Sequence, residues 1–209
     1  MSSSRRTWLH VRLGHTVVTR PLGDMLLATD YGCSTHATKD QVGVPILRIP
    51  NILRGELDLS DMKWVHLSAG EIEKFTVRRD DILIVRTNGN PDYVGRCLVV
   101  PVLPAVTVFA SYLIRLVVDP LQVLSEYVAN VLNAAGIRRL LRRAVRSSAG
   151  NYNINTTGIR RVRVPLPPLP EQEAILADLA AFAQIRTRCQ DRRRQIDAMQ
   201  RAAMVSLQP

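Results

Sequence analysis

The C-terminal stretch of this chain constrains its fold more than any other feature. Residues 171–207 contain neither glycine nor proline, and the proline-rich segment PLPPLP precedes them at residues 165–170. Proline and glycine are the residues that most often end a helix, and consecutive prolines favour an extended backbone. The sequence therefore predicts a domain over residues 1–164, a stiff connector over residues 165–170, and one long helix over residues 171–209.

Apolar residues recur along this predicted helix at the spacing of a coiled coil. One seam position repeats every seven residues. The second is mixed, because Arg186, Arg193 and Gln200 stand between Leu179 and Leu207 at that position. An apolar seam of this kind needs a partner helix to cover it. The predicted dimer or partner interface consists of Ile175, Leu179, Phe182, Ile185, Cys189, Ile196 and Met199.

The central part of the chain has the pattern of a β-sheet. Short segments rich in β-branched residues lie between glycine, proline, asparagine and aspartate, which is typical of strands separated by turns. These segments are residues 45–49, 81–86, 97–100, 106–109 and 113–118. They predict the strands of a twisted sheet or an open barrel.

Two helices are predicted to follow these strands. Asp119 and Pro120 fit a helix start, because aspartate caps helices and proline is tolerated in the first turn, and helical periodicity continues to about Asn133. A second helix begins after Gly136, with apolar residues on one face. Its other face is predicted to be a stripe of five arginines, Arg138, Arg139, Arg142, Arg143 and Arg146. The whole pattern predicts an α/β (α+β) fold that ends in one long coiled-coil helix.

Charge and composition narrow the class of partner. The chain has 28 lysine and arginine residues against 18 aspartate and glutamate, a formal net charge of +10, so nucleic acid is the expected partner. Its three cysteines lie far apart and outside any metal-binding spacing, so no disulfide or metal site is expected. No signal sequence and no apolar run of about 20 residues is found, which predicts a cytoplasmic protein without membrane contact.

Four groups of motifs occur together in a particular order. They are GVPILRIPNI at residues 43–52 with GELDL at 55–59, DDILIVRTNG at 80–89 with VGR at 94–96, NIN at 153–155, and PLPPLPEQ at 165–172. Each is short, but in order and spacing they extend over nearly the whole chain. With this combination the chain resembles the specificity subunit of type I restriction-modification systems.

The resemblance implies a non-catalytic subunit. Residues 1–164 would form a target-recognition domain that binds one half of a split site in double-stranded DNA. The long helix would set the distance between the two half-sites. It would also dock an adenine methyltransferase subunit, and through it a restriction subunit. Family members commonly carry two such units, whereas this sequence has one. The chain therefore either pairs with a second copy or is a truncated product or excised domain. The apolar seam favours the homodimer.

Candidate DNA contacts follow from residue type and position in the motifs. Arginine pairs with guanine, asparagine with adenine, and hydroxyl groups with either base. The candidates are Tyr31, Ser34, Thr35, Lys39, Asn51, Arg54, Arg86, Asn88, Asn90, Asn153 and Asn155 for the bases, and Arg138, Arg139, Arg142 and Arg143 for phosphates. Alternatives remain for most of them. Residues 31–41 also have the composition of any solvated loop, the asparagines also suit turns, and the arginine stripe also suits a solvated or partner-facing helix.

Catalysis by the chain itself is not expected. NPDY at residues 90–93 is similar to the tetrapeptide with which adenine methyltransferases hold a flipped base, but the chain has no glycine-rich turn after a strand to bind a methyl donor. A hairpin is the favoured interpretation, because an Asn-Gly pair precedes the tetrapeptide. No cofactor is expected. The second functional hypothesis is a DNA-binding accessory protein of another phage-defence system that uses the same recognition domain.

Overall fold

The chain divides into two units between Leu169 and Pro170. The structure, a computed structural model, describes residues 18–144, 146–148 and 150–206, without the side chains of residues 143–144, 146–148 and 202–206. The first unit contains the sheets and the short helices. The second is a single helix.

A four-stranded antiparallel sheet forms the centre of the first unit. Its strands are β2 (Leu26–Tyr31), β5 (Ile82–Val85), β7 (Cys97–Val99) and β9 (Leu113–Val118), and they lie in the order β2-β9-β5-β7. Every residue of β5 is buried, which explains why its sequence is a continuous apolar run and does not alternate. One core cluster packs Leu83 and Val85 of β5 with Phe109.

Three smaller sheets surround the central one. They are formed by β4 (Lys63–Val65), β3 (Val44–Leu47) and β8 (Val108–Phe109); by β10 (Arg146–Ser148), β11 (Asn151–Asn153) and β6 (Thr87–Asn88); and by β1 (Thr19–Pro21) with β12 (Arg163–Pro165). The β1–β12 pair is antiparallel and brings the first and last strands described in the first unit together. In the described ranges all four sheets are open, so the predicted sheet is correct and the strands do not close into a barrel.

Helices connect and flank the sheets. They are α1 (Ile49–Ile52), α2 (Ala69–Phe75), α3 (Ser125–Asn133), α4 (Ala135–Ala144), α5 (Thr156–Arg160) and α6 (Leu169–Ser206). The start of α2 shows how sequence sets a boundary: Ser68 Oγ accepts a hydrogen bond from Glu71 N while the Glu71 carboxylate accepts one from Ser68 N. This reciprocal capping box satisfies two backbone donors at once.

Two helix starts differ from the sequence-based prediction. Helix α3 begins at Ser125, because Asp119 closes a turn instead: its carboxylate accepts hydrogen bonds from Leu121 N and Gln122 Nε2. Helix α6 begins at Leu169, before the predicted residue 171. Pro170 therefore lies in the first turn, where its missing N–H costs no hydrogen bond, so the extended connector is shorter than residues 165–170.

Candidate nucleic-acid interface

Tyr31 and Arg86 lie together where two strands of the central sheet end. Both β2 and β5 pair antiparallel with β9, so they run in the same direction and their carboxyl ends meet at the start of β9. The Arg86 guanidinium carbon lies 4.7 Å from the centre of the Tyr31 ring, and Arg86 Nη1 donates to Ser111 O at 3.1 Å. The Tyr31 hydroxyl accepts from Thr156 N at 3.3 Å. The stack is therefore fixed by contacts on several sides.

A groove of about 440 Å³ lies next to this stack, lined in part by Ser34, Thr35, Ser111 and Tyr112. The loop that carries Ser34 is held against the sheet, because Cys33 N donates to Phe109 O and Ser111 N donates to Cys33 O. Only glycine fits before it: a Cβ on Gly32 would lie 2.2 Å from Phe109 O.

We refer to Tyr31, Ser34, Thr35, Arg86 and Tyr112 as the Tyr31–Arg86 surface. Tyr112 was not among the sequence-based candidates; it is 59% exposed although apolar strands flank it on both sides. In the sequence, the available signal was a tyrosine that lies between two apolar segments predicted to be strands. The surface combines aromatic, guanidinium and hydroxyl groups, which are the groups that stack on bases and hydrogen-bond to base edges.

Lys39 and Asn51, both candidate base contacts, have partners within the protein; Lys39 is exposed and its DNA contact stays a prediction, whereas Asn51 is buried. Lys39 Nζ lies 3.0 Å from the Asp61 carboxylate, and its hydrogen bond, with that from Arg48, lowers the pKa of Asp61. Asn51 is buried; its Oδ1 accepts from Arg48 N and its Nδ2 donates to Asp58 O, each at 2.8 Å. The Asn51 prediction is wrong, because the amide is used within the protein to shape the chain after α1.

The asparagine-rich segments come together, and their side chains shape turns. Strand β6 pairs with β11, which places Asn88 opposite Tyr152. The side chain of Asn88 accepts from Asn90 N, that of Asn90 from Asp92 N, and that of Asn155 from Gly158 N at the start of α5. Each is a local side-chain to backbone bond of the kind that defines a turn or cap. Asn153 lies in β11, and its own side-chain donor lies 3.5 Å from Asn151 O.

Helix α4 is rotated relative to the prediction. Arg138 is 8% exposed, and its guanidinium donates at 2.6 Å to the backbone oxygens of both Asp92 and Val94, whereas Leu140 is exposed. Buried carbonyl oxygens need donors, and Gly95 leaves the room: a Cβ there would lie 2.9 Å from Arg138 Nη1. The predicted solvent-facing stripe is therefore wrong for Arg138.

The predicted stripe is also shorter than expected. Helix α4 ends at Ala144, and Arg146 belongs to β10. Arg143 lies in α4, but its side chain falls outside the described residues. Of the five arginines in the predicted stripe, Arg139 and Arg142 lie in α4 and are exposed.

A cleft of about 780 Å³ is lined by α4, the loop after α1 and the turn before β7. Its charged lining residues, which we name the arginine cleft, are Arg54, Arg96, Arg138, Arg139, Arg142 and Asp92. Arg142 Nη2 lies 2.9 Å from the Asp92 carboxylate. Arg96 stacks on Tyr93 at 4.8 Å, so one face of this half-buried tyrosine of the NPDY segment is covered. The sequence-based prediction did not include Arg96, because only the fold places it beside α4.

The predicted seam of α6 is largely exposed. Phe182, Ile185, Ile196 and Met199 are each at least 46% exposed, and Cys189 is exposed as well. Leu179 is half-buried. Ile175 is buried, so it does not belong to the exposed part of the seam.

Membrane-spanning helices and metal clusters are both absent from the described residues. No helix among them has the length and hydropathy needed to cross a bilayer. They contain no group of three or more histidine, cysteine, aspartate or glutamate residues that could hold a metal ion.

Comparison with curated proteins gives relatives of one kind. The chain is 28% identical over 155 residues to the type I restriction enzyme StySPI specificity subunit of Salmonella potsdam, covering 74% of this chain and 34% of that protein. It is 28% identical over 146 residues to the EcoKI specificity subunit of Escherichia coli K12, covering 69% and 31%. The chain thus spans about a third of the length of these relatives.

Solved structures confirm the fold class. One, from work on complex assembly and conformational transition of the type I R-M system, matches with a TM-score of 0.61 at 18% identity, covering 93% of this chain and 44% of that one. The HsdS subunit of Thermoanaerobacter tengcongensis matches with a TM-score of 0.59 at 15% identity, covering 81% and 43%. At these identities the likeness concerns the fold: mixed α/β sheets with a long C-terminal helix.

A family model settles membership. The model described as "Type I restriction modification DNA specificity domain" matches residues 15–196, which includes the Tyr31–Arg86 surface, the arginine cleft and most of α6. The chain therefore belongs to the type I restriction-modification DNA specificity domain family.

Proposed function

We propose that this chain is a non-catalytic, sequence-specific DNA-recognition subunit that reads double-stranded DNA through the Tyr31–Arg86 surface. The observation that carries the proposal is the Arg86 guanidinium stacked on Tyr31 at the shared end of β2 and β5, beside a hydroxyl-lined groove. Preorganised side chains lose little conformational entropy on binding, so such a stack suits specific contacts.

The chemistry of the surface fits base readout. A guanidinium has five N–H donors, and the bond to Ser111 uses one of them in Arg86. The fork geometry of arginine matches the two acceptors of guanine in the major groove. Ser34 and Thr35 are exposed and offer hydroxyl groups, while the exposed ring of Tyr112 offers an apolar contact. In this proposal the Tyr31–Arg86 surface contacts the bases, and the DNA phosphates bind to a different part of the protein.

The partners follow from family membership. In this proposal the chain works in the cytoplasm and directs an adenine methyltransferase subunit, and through it a restriction subunit, to a split DNA site. Two copies pair through the exposed seam of α6, so that the pair presents two recognition units. The support is the row of exposed apolar side chains on α6.

Methylome sequencing tests the function. The host is sequenced with the gene intact, deleted, and restored as the wild type or as Tyr112→Ala. We expect deletion to abolish methylation of a split, palindromic motif, and Tyr112→Ala to reduce or relax it. Leu121→Ala is the matched control, because Leu121 is also exposed but lies outside the Tyr31–Arg86 surface. A methylome unchanged by deletion contradicts the proposal and favours an accessory role in another defence system.

A further inference from the structure

The arginine cleft carries more positive charge than its own groups neutralise. Its lining contains five guanidinium groups and one carboxylate, that of Asp92. Asp92 pairs with Arg142, and this pair is about half exposed. An open cleft with this imbalance attracts anions, because like charges held in one place raise the local potential.

Apart from Arg142, which pairs with Asp92, the arginines of the cleft divide into two groups. Arg138 and Arg96 are bound to the backbone: Arg138 to the carbonyls of the preceding turn, and Arg96 to Asp92 O and Leu53 O, each at 3.1 Å. Arg54 and Arg139 are exposed, and among the described residues neither guanidinium has a hydrogen-bond partner, although the charge of Arg54 contributes to the lowered pKa of Asp58. The cleft thus contains two fixed arginines and two arginines with unused donors.

Electrostatic repulsion is present among the arginines of the cleft. Burial, followed by the positive charges of Arg142 and Arg96, lowers the pKa of Arg138. The positive charges therefore oppose one another, and an anion between them would relieve this repulsion. The guanidinium fork matches the paired oxygens of a phosphate group.

We propose that the arginine cleft binds the phosphodiester backbone of the DNA whose bases the Tyr31–Arg86 surface reads. The inference rests on the proposed function and adds a second, sequence-independent contact to it. Arg54 and Arg139 contact phosphate, and Arg142 transfers from Asp92 to the DNA. Arg138 and Arg96 are positioning residues that hold the turn and the cleft wall. A volume of about 780 Å³ in an open cleft exceeds one anion and suits a stretch of backbone.

The salt dependence of DNA binding tests this inference. Binding of the 209-residue chain to labelled duplexes is measured by fluorescence anisotropy over a range of salt concentrations, on a duplex with the methylated motif and on one without it. We expect Arg54→Ala with Arg139→Ala to weaken both complexes by the same factor. The slope of log K against log salt concentration becomes shallower by about 0.9 for each phosphate group that the variant no longer neutralises.

Arg78→Ala with Arg79→Ala is the matched control. It removes the same two charges from exposed residues that lie outside the cleft. Circular dichroism and melting temperature establish that each variant is folded. A slope that changes equally in both double variants overturns the inference, because the effect then belongs to net charge and not to the cleft.

Asp92→Asn gives a prediction of opposite sign. Removing the carboxylate frees Arg142 and leaves the backbone carbonyl that Arg138 binds in place. We expect tighter binding to both duplexes and a slope steeper by up to about 0.9. Weaker binding by a folded Asp92→Asn protein overturns the proposed transfer of Arg142.

The two proposals fail separately. If the chain binds both duplexes equally but only the cleft variant loses salt-dependent affinity, the proposal of sequence recognition is contradicted and the cleft proposal is supported. If the cleft variant and the control bind alike while the chain still prefers the motif, the cleft fails and sequence recognition stands. Inorganic phosphate that raises the melting temperature of the wild type and not of the cleft variant, without competing with DNA, identifies a free anion as the occupant and overturns the cleft proposal.

Discussion

Gly95 determines whether Arg138 can reach the turn beside it. Its φ is +78°, a conformation that side chains other than glycine rarely adopt, and a Cβ would lie 2.9 Å from Arg138 Nη1. Gly95→Ala should lower the free energy of unfolding by about 1–3 kcal/mol. Gly89→Ala is the control, because Gly89 has open space around it and its φ lies outside that region; we expect a change within about 0.5 kcal/mol. Urea unfolding measures both, and equal costs would contradict the role of Gly95.

Gly89 also shows where turn prediction from sequence is unsafe. The Asn-Gly pair at residues 88–89 is the usual signature of a tight turn in which glycine takes a positive φ. In the structure the positive φ belongs to Gly95, and the side chains of Asn88 and Asn90 close the turn. A dipeptide pattern records local preference, whereas the position of the left-handed residue here depends on Arg138, which lies more than 40 residues away.

Asp81 provides a pH test at the residue scale. Burial is the main reason that its pKa is raised, although Arg78 N donates to its carboxylate and Arg115 lies 4.0 Å away. A raised folded-state pKa means that the folded protein binds more protons than the unfolded chain, so stability falls as pH rises through the interval between the two pKa values. We expect Asp81→Asn to gain stability relative to the wild type over that rise. Unfolding in urea at a series of pH values measures the difference.

Asp119 supplies a control with the opposite sign. Hydrogen bonds from the Gln122 side chain and Leu121 N lower its pKa, so its contribution to stability is present above the unfolded-state pKa and is lost as pH falls. Asp119→Asn should therefore lose stability relative to the wild type as pH rises through the same region. If both variants shift in the same direction, burial is not the cause of the Asp81 effect.

At the scale of elements, Tyr127 connects α3 to β12. It is buried, its hydroxyl donates to Pro165 O at 3.0 Å, and burial raises its pKa. Tyr127→Phe removes the donor and leaves the carbonyl without that partner, so we expect a loss of about 1 kcal/mol in the free energy of unfolding. Tyr112→Phe should leave stability unchanged, because Tyr112 is exposed. Denaturant titration of the two variants compares them, and an equal loss would contradict the structural role of the Tyr127 hydroxyl.

Elements were predictable where one force dominates. The apolar run of β5 predicted a buried strand, and the glycine-free and proline-free stretch of α6 predicted a long helix. The structure contains both elements. The start of α3 was not predictable, since Asp119 can close a turn as well as cap a helix. The face of α4 depends on carbonyl groups in a distant turn, so its hydrophobic periodicity placed Arg138 on the wrong side. Tyr31, Ser34, Thr35 and Arg86 were candidates from residue type and motif position alone. That they lie together with Tyr112 depends on the order of the strands, and their contact with DNA stays a prediction.

At the scale of the whole first unit, one chain segment links the two proposed DNA contacts. Arg86 ends β5 at the Tyr31–Arg86 surface, and Arg96 lies in the wall of the arginine cleft. Between them, β6 and the following turn are held by β11 on one side and by Arg138 on the other. In the two proposals, base readout and backbone binding therefore share one support, which is held from both sides.

At the scale of the whole molecule, we propose that two copies of the chain form a homodimer, and that the exposed apolar seam of α6 is the dimer interface. Ile185→Glu with Ile196→Glu places two charges in the seam, so we expect the dimer to dissociate because burying unpaired carboxylates is costly. Gln184→Glu with Gln195→Glu is the control: it adds the same charge to exposed positions next to the seam residues and should leave the dimer intact. Sedimentation equilibrium measures the mass of each. A wild type that is monomeric at every concentration, or two double variants that dissociate alike, would contradict pairing through this seam.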